Sequence, residues 1–151
     1  MGTDPFDLAR FLLAQEPVIG RARAELATGH KRSHWMWFVF PQLAGLGSSP
    51  TAQRYALSSL DEARAYLGHP VLGQRLRECT ALVNAVERRS IEEIFGYPDH
   101  LKFHSCVTLF AHAAGDGADA GVFRRALARY FAGEEDRLTL ERLSAASGTA
   151  G

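Results

Sequence analysis

The sequence predicts an all-α fold, a single compact, non-repeat helical domain of about seven to nine helices. Apolar residues recur at spacings of three and four along most of the 151 residues. No segment shows sustained alternation of apolar and polar residues between hairpin turns, and no unit of roughly 20 to 50 residues repeats. Residues 1–144 are predicted to form this one domain, and the small, polar residues 145–151 a flexible C-terminal tail.

The composition is that of a globular protein. Apolar residues make up 46% and charged residues 23% of the chain, and a chain of this length buries a core without metal or disulfide support. The formal net charge is zero, so no global field attracts a phosphate backbone. The composition therefore argues against general nucleic-acid binding.

Nothing in the sequence indicates a membrane or an export route. No apolar run reaches the roughly 20 residues that span a bilayer. The first residues, Met1-Gly2-Thr3-Asp4-Pro5, lack the basic and apolar regions of a signal peptide. We expect a soluble cytoplasmic protein with no membrane partner.

The two cysteines, Cys79 and Cys106, each fall within a helical pattern and have no second cysteine nearby. They are expected to be small buried hydrophobic residues in a reducing compartment, without a structural disulfide. No pattern specifies a cofactor, and the sequence leaves a protein partner open.

Two amphipathic helices are predicted at the start of the chain. The first covers residues 4–15, with Thr3 or Asp4 as its cap, and the second covers residues 18–28 and ends at Gly29.

Capping signals predict the next helices. Ser59 precedes Glu62 by three residues, a capping box that begins a helix to about Leu67. Pro70 then opens the most regular helix, which we expect to be central in the core. Its apolar stripe consists of Leu72, Leu76, Cys79, Val83 and Val86.

Capping signals and apolar stripes also predict helices in the second half of the chain. Ser90 and Glu93 have capping-box spacing and begin a short helix, which the turn at residues 96–99 separates from a helix starting near His100. A last helix is predicted from Asp136. The helix that starts near His100 and the helix that follows it each carry an apolar stripe. The first stripe consists of Phe103, Cys106, Val107, Phe110 and Ala114, and the second of Val122, Phe123, Ala126, Leu127, Tyr130 and Phe131.

A Trp-rich segment at residues 33–42 differs from the rest, because six consecutive large apolar residues are closed by Pro41. With Ser33 as N-cap, it is most simply a short helix buried as a core plug. The alternative concerns its entrance. Positive charge and hydroxyl donors crowd a helix N-terminus there, which suits an anion, and a Trp ring beside them can stack on a base. The residues at this entrance are Lys31, Arg32, Ser33, His34, Trp35 and Trp37.

The glycine-rich residues 45–50 follow this segment. They lack the ending of a phosphate-binding P-loop, so the simpler interpretation is a loop in which Ser49 caps a helix beginning at Pro50.

Polar residues cluster again near the start of the helix at His100. Asp99 is expected to be its N-cap. Lys102 opposes the helix dipole there unless an anion is near, so we expect it to face Asp61, Glu62 or a ligand. Ser105 and Thr108 extend this polar stripe or bond back to their own helix.

Other chemical signals are weak. His100 and His104 have the spacing for two metal ligands, but no third ligand is placed, so a solvated helix face is favoured. No motif of the common serine, cysteine or zinc hydrolases is present.

The chain resembles an uncharacterised bacterial family, the domain-of-unknown-function family eighteen-ten, whose members are sometimes labelled calpastatin. The similarity rests on the run from Lys31 to Leu43 and on later motifs that cover nearly the whole chain. These are residues 45–47, 60–63, 66–67, 69–73, 75–76, 95–96, 98–99, 102, 105, 108–110, 136 and 139–140. The resemblance implies an all-α fold and no established activity. It includes Lys102 and Ser105 but not the two histidines. The calpastatin label does not fit a chain with core periodicity, because calpastatin inhibits as a disordered segment.

Three functions are compatible with these residues. The first is binding of a small anionic, nucleotide-like ligand in a pocket that requires the two polar clusters to meet. Its residues are Lys31, Ser33, His34, Trp35, Trp37, Asp99, Lys102 and Ser105. The second is hydrolysis of a nucleotide or ADP-ribose-type glycosidic bond, with Asp61, Glu62 or Asp99 as the acid-base group. The third is a protein-interaction module that exposes Trp35, Trp37 and Phe40.

Overall fold

Ten helices follow one another in this computed structural model, which describes residues 3–150 and the side chains of residues 3–145. They are α1 (Ala9–Gln15), α2 (Ile19–Ala27), α3 (Met36–Val39), α4 (Pro50–Arg54), α5 (Leu60–Gly68), α6 (Leu72–Ala85), α7 (Ile91–Phe95), α8 (Asp99–Ala114), α9 (Ala120–Tyr130) and α10 (Arg137–Ala150). The described residues contain no strand, only an isolated parallel bridge between Leu43 and Leu57. The predicted all-α class is confirmed.

Helix α8 lies at the centre of the core. Every residue from Ser105 to Ala111 is buried, so the middle of this helix is surrounded on all sides. It packs against α5, α7, α9 and α10. The sequence pattern predicted α6 as a central core helix. The apolar stripe of α6 is buried as expected, but the polar residues of α6 leave one face of this helix exposed to solvent.

Three predicted helix starts are confirmed. The hydroxyl oxygens of Ser49, Ser59 and Ser90 each accept a hydrogen bond of 3.1 Å from the backbone amide three residues later. At Ser90 the capping box is complete, because the Glu93 carboxylate accepts from the Ser90 amide in return. These local signals therefore begin α4, α5 and α7.

The capping box predicted at Ser59 is only half formed. The Glu62 carboxylate instead accepts from the amide and hydroxyl of Ser58, at 2.7 and 2.8 Å, and forms an ion pair with Arg10 at 3.0 Å. The Glu62 carboxylate thus contacts Arg10, which lies 52 residues away in the chain, and not the Ser59 amide.

The first helix begins later than predicted. Helix α1 starts at Ala9, and the Asp4 carboxylate accepts hydrogen bonds from the amides of Leu8 and Ala9 at 2.7 and 2.9 Å. The N-cap position is Leu8 and not Thr3 or Asp4, but the Asp4 carboxylate still binds the first amides of the helix across an intervening turn.

The two cysteines are free and buried, as predicted. Burial raises the pKa of the Cys79 thiol to about 12 and that of Cys106 well above its usual value. Both therefore stay protonated and act as small core residues.

No helix within residues 3–150 is both long enough and apolar enough to cross a lipid bilayer. The backbone of α10 continues to Ala150, and Gly151 lies outside the described residues. The flexible tail at residues 145–151 stays a prediction.

Close backbone contact at Gly73 leads to the first testable prediction. A Cβ added at this second residue of α6 would lie 1.9 Å from the carbonyl oxygen of Leu67. We expect Gly73→Ala to lower the free energy of unfolding by about 2 kcal/mol, measured by urea denaturation, because backbone must shift. Gly20→Ala is the matched control. Nothing lies within 4 Å of that added Cβ, so this helical substitution should stabilise slightly. Equal effects at both positions would contradict the packing argument.

Candidate functional site

A buried carboxylate organises the entrance to the Trp-rich segment. Glu25 Oε1 accepts hydrogen bonds from the amides of Arg32 (2.8 Å) and Ser33 (3.0 Å) and from Trp35 Nε1 (3.0 Å). The Ser33 hydroxyl donates to Oε2 at 2.5 Å. The prediction that Ser33 is the N-cap of α3 is therefore wrong. That helix begins at Met36 without a side-chain cap.

Glu25 is ionised throughout the physiological pH range. Burial alone would raise the pKa of its carboxyl, but the hydrogen bonds from Ser33, Arg32 and Trp35 outweigh it and lower the pKa to about 2. The charge at Glu25 is thus a permanent structural anchor for residues 32–35.

The Trp-rich segment is largely core. Trp35 and Phe40 are 0% and 1% exposed, and the ammonium of Lys31 lies 5.1 Å from the centre of the Trp35 ring. Trp37 is half-buried. The interaction-module hypothesis required Trp35 and Phe40 to be exposed, so it loses two of its three binding residues.

The two polar clusters meet at Asp99. Its carboxylate pairs with Lys31 Nζ at 2.8 Å and lies 3.7 Å from Lys102 Nζ. Lys31 also donates to the carbonyl oxygen of Ser33 at 2.5 Å. Asp99 is not the N-cap of α8, because Pro98 holds that position and Asp99 lies in the first turn. The carboxylate that compensates the positive charge of Lys102 is therefore Asp99, and not Asp61 or Glu62.

An aromatic side chain borders this charge cluster. Lys102 Nζ lies 5.3 Å from the centre of the Trp37 ring, and the exposed His34 ring stacks on Trp37 with centroids 6.5 Å apart. A small cavity of about 10 Å³ opens beside them. It is lined by Met36, Trp37, Phe40, Gln42, Ala52, Tyr55, Ala56 and Lys102.

Ser105 is not part of this cluster. Its hydroxyl donates to Asp136 at 3.1 Å, and the same carboxylate oxygen accepts from the amide and hydroxyl of Thr139 at 3.0 and 2.6 Å. Thr108 Oγ1 accepts from the Asp136 amide at 2.8 Å. Ser105 and Thr108 therefore hold the start of α10, and Ser105 does not join the other predicted ligand-binding residues at Asp99.

The other candidate carboxylates lie elsewhere. Glu62 is 2% exposed and held by Arg10 and Ser58. Asp61 is exposed on α5 and pairs with Arg64 at 3.5 Å. Asp99 is the one of the three proposed acid-base groups that belongs to the cluster.

Two of the three histidines of α8, His100 and His104, contact backbone carbonyl oxygens of the fold. The His100 ring lies 3.2 Å from the Gly96 carbonyl oxygen, and His104 Nε2 lies 2.8 Å from that of Glu134. The His104 ring stacks on Phe131 with centroids 3.9 Å apart. Among the residues whose side chains are described, no three His, Cys, Asp or Glu groups come together as metal ligands.

Sequence patterns missed Glu25, which lies on the ordinary-looking helix α2. A compositional signal was available for the lysines. Of the 17 basic Lys and Arg residues, 15 are Arg, and both remaining residues, Lys31 and Lys102, contact Asp99. Both lysines of the protein therefore lie in one cluster, where a compact ammonium fits between a carboxylate and an indole ring.

Comparison with known proteins agrees with this architecture. The conserved hypothetical protein Rv1873 from Mycobacterium tuberculosis has a crystal structure that superimposes with a TM-score of 0.90 at 59% sequence identity. The alignment covers 93% of this chain and 99% of that one. No curated protein matches the chain. The family described as "Protein of unknown function (DUF1810)" matches residues 5–143, nearly the whole chain, and the protein therefore belongs to this family.

Proposed function

We propose that the protein binds a small anionic, nucleotide-like molecule, with its anionic group at Lys102 and its ring on Trp37. The observation that carries the proposal is the shared carboxylate. Asp99 lies between two ammonium groups, so the cluster keeps one net positive charge.

The two lysines have different parts in this cluster. The Lys31 side chain is 7% exposed and holds the shorter contact to Asp99, which makes it the structural partner. The Lys102 side chain is 24% exposed and its contact to Asp99 is longer, so its ammonium is the one available to an incoming anion. Lys102 also lies near the N-terminus of the 16-residue helix α8, whose dipole favours negative charge at that end.

The size of the cavity limits how such a ligand sits. About 10 Å³ admits roughly one water molecule or one ligand oxygen. A planar ring must therefore lie outside, against the half-buried indole of Trp37 and next to His34. Stacking of a base on such a ring contributes about 1–3 kcal/mol.

The hydrolase alternative would use the same cluster. Asp99 is its remaining acid-base candidate, and its carboxylate is already paired with two lysines. No feature of the described residues favours turnover over binding, so the binding function is preferred.

Thermal unfolding with adenosine monophosphate, ADP-ribose, NAD and inorganic phosphate tests the proposal, with adenosine as the uncharged control. We expect adenosine monophosphate to raise the midpoint by about 8 °C at one hundred times its Kd, and adenosine to leave it almost unchanged. Lys102→Gln should weaken binding by about tenfold or more, since a hydrogen bond to a charged group is lost.

The matched control is Arg64→Gln, which removes one positive charge from the exposed face of α5. It should leave the affinity for adenosine monophosphate unchanged. No midpoint shift from any of the four anions, or equal losses in the two variants, would refute a site at Lys102.

A further inference from the structure

A second, larger depression lies apart from the Lys102 cluster. It runs between α5, residues 43–44 and the described side chains of α10, and its volume is about 940 Å³. None of its lining residues borders the small cavity beside Trp37. Ligand-binding clefts for small molecules usually have volumes of about 300–1,000 Å³, so this groove has the size of a binding site.

The floor of the groove is apolar. Leu43 is buried, and three further leucines, Leu60, Leu140 and Leu143, remain partly exposed to it. Covering this surface with an apolar chain would remove it from water, which contributes about 25 cal/mol per Å².

Two arginines, Arg64 and Arg142, lie at the rim of the groove, and contacts with Gly45 fix the position of Arg142. Arg142 donates to the Gly45 carbonyl oxygen at 3.1 Å. Gly45 has a φ of +94°, and a Cβ there would lie 2.4 Å from the centre of the Arg142 guanidinium. The glycine-rich segment after the Trp-rich run thus makes room for an arginine at the groove.

The charges around the groove favour an anion. The groove lining contains two arginines, Arg64 and Arg142, and one carboxylate, Asp61. The contact between Arg64 and Asp61 is 3.5 Å long, between side chains that are 55% and 81% exposed. Such an exposed pair contributes little and separates readily. His112, also in the lining, is already paired with Glu135 at 2.8 Å. One net positive charge therefore remains at the rim.

We propose that this groove binds an amphipathic anion, an apolar chain that ends in a carboxylate, with the chain on the leucine floor and the carboxylate between Arg64 and Arg142. This ligand class combines the two surfaces that the groove presents. The inference stands on residues separate from those of the Lys102 cluster.

Amide chemical-shift mapping of the full chain with octanoate tests the proposal, with octylammonium as the cation of equal chain length. We expect saturable shifts confined to residues near 43–45, 58–64 and 140–145, and at least tenfold weaker binding of octylammonium. Arg64→Gln and Arg142→Gln should each weaken octanoate binding by about tenfold, the loss of one charged hydrogen-bond donor.

Arg21→Gln is the control variant, since Arg21 is exposed on α2 away from the groove lining, and it should bind octanoate like the wild type. Absence of saturable shifts, equal binding of octylammonium, or octanoate affinity unchanged in both arginine variants would overturn the inference. Arg64 is exposed and lies outside the core, so its variant remains a valid test even if Arg142→Gln loosens α10.

Discussion

Replacing Glu25 with alanine should lower the free energy of unfolding by about 3–5 kcal/mol, measured by urea denaturation. The substitution removes the acceptor of four hydrogen bonds, which come from the amides of Arg32 and Ser33, the Ser33 hydroxyl and Trp35 Nε1. The indole nitrogen is buried, and a buried donor without an acceptor costs about 1–3 kcal/mol by itself.

The pH dependence of stability gives an independent measurement of the same carboxylate. Its pKa falls from 4.5 to about 2 on folding, which corresponds to about 3 kcal/mol. Because the folded-state pKa is the lower one, this stabilisation is fully present above pH 4.5 and is lost as the pH falls towards 2. The Glu25→Ala variant should therefore lose less stability than the wild type over this interval.

The control for both measurements is Glu87→Ala. Glu87 is exposed after the end of α6, so its replacement should change stability by no more than about 0.5 kcal/mol. If Glu25→Ala were equally mild, or if its stability fell with acid as steeply as that of the wild type, the network would not anchor the segment.

Replacing Arg10 with leucine should be similarly damaging, at about 3–5 kcal/mol. The guanidinium forms an ion pair with Glu62 at 3.0 Å, and both side chains are largely buried, with exposures of 14% and 3%. It also donates to four backbone carbonyl oxygens, those of Phe6, Asp7, Arg54 and Ala56. Removing one partner leaves a buried charge uncompensated, which is the costly way to break such a pair.

Urea denaturation of two further variants identifies the cause. Arg10→Lys should recover little, because one ammonium cannot reach acceptors spread over a guanidinium fork. The double variant Arg10→Leu with Glu62→Gln should be more stable than Arg10→Leu alone, since the unpaired charge is gone. A double variant as unstable as the sum of its single substitutions would show that the ion pair is not the cause.

Both predictions concern residues to which the sequence patterns assigned no such role. Glu25 and Arg10 lie on short amphipathic helices that looked ordinary, and their partners are 7 to 10 and 52 residues away. No period or cap marks such a pairing, because the partners lie outside the helix that carries the charged side chain, in segments whose position depends on packing.

The candidate site was predictable in part. The sequence singled out Lys31, His34, Trp37, Asp99 and Lys102, which do come together. Trp35 was named with them, although it lies buried behind Lys31, and Ser105 instead holds the start of α10. Residue type indicates what a side chain can do, whereas burial and direction decide what it contacts.

The sequence by itself determined the all-α class, most helix positions and the caps at Ser49, Ser59 and Ser90. These follow from interactions between residues three or four apart, which local spacing encodes directly. Only the tertiary structure decided that α8 is central, that Asp99 joins both lysines and that Glu25 and Arg10 are buried anchors. The physical reason is that a charged group leaves water only where several segments outside its own helix supply partners together, and those segments are in place only after the chain has packed.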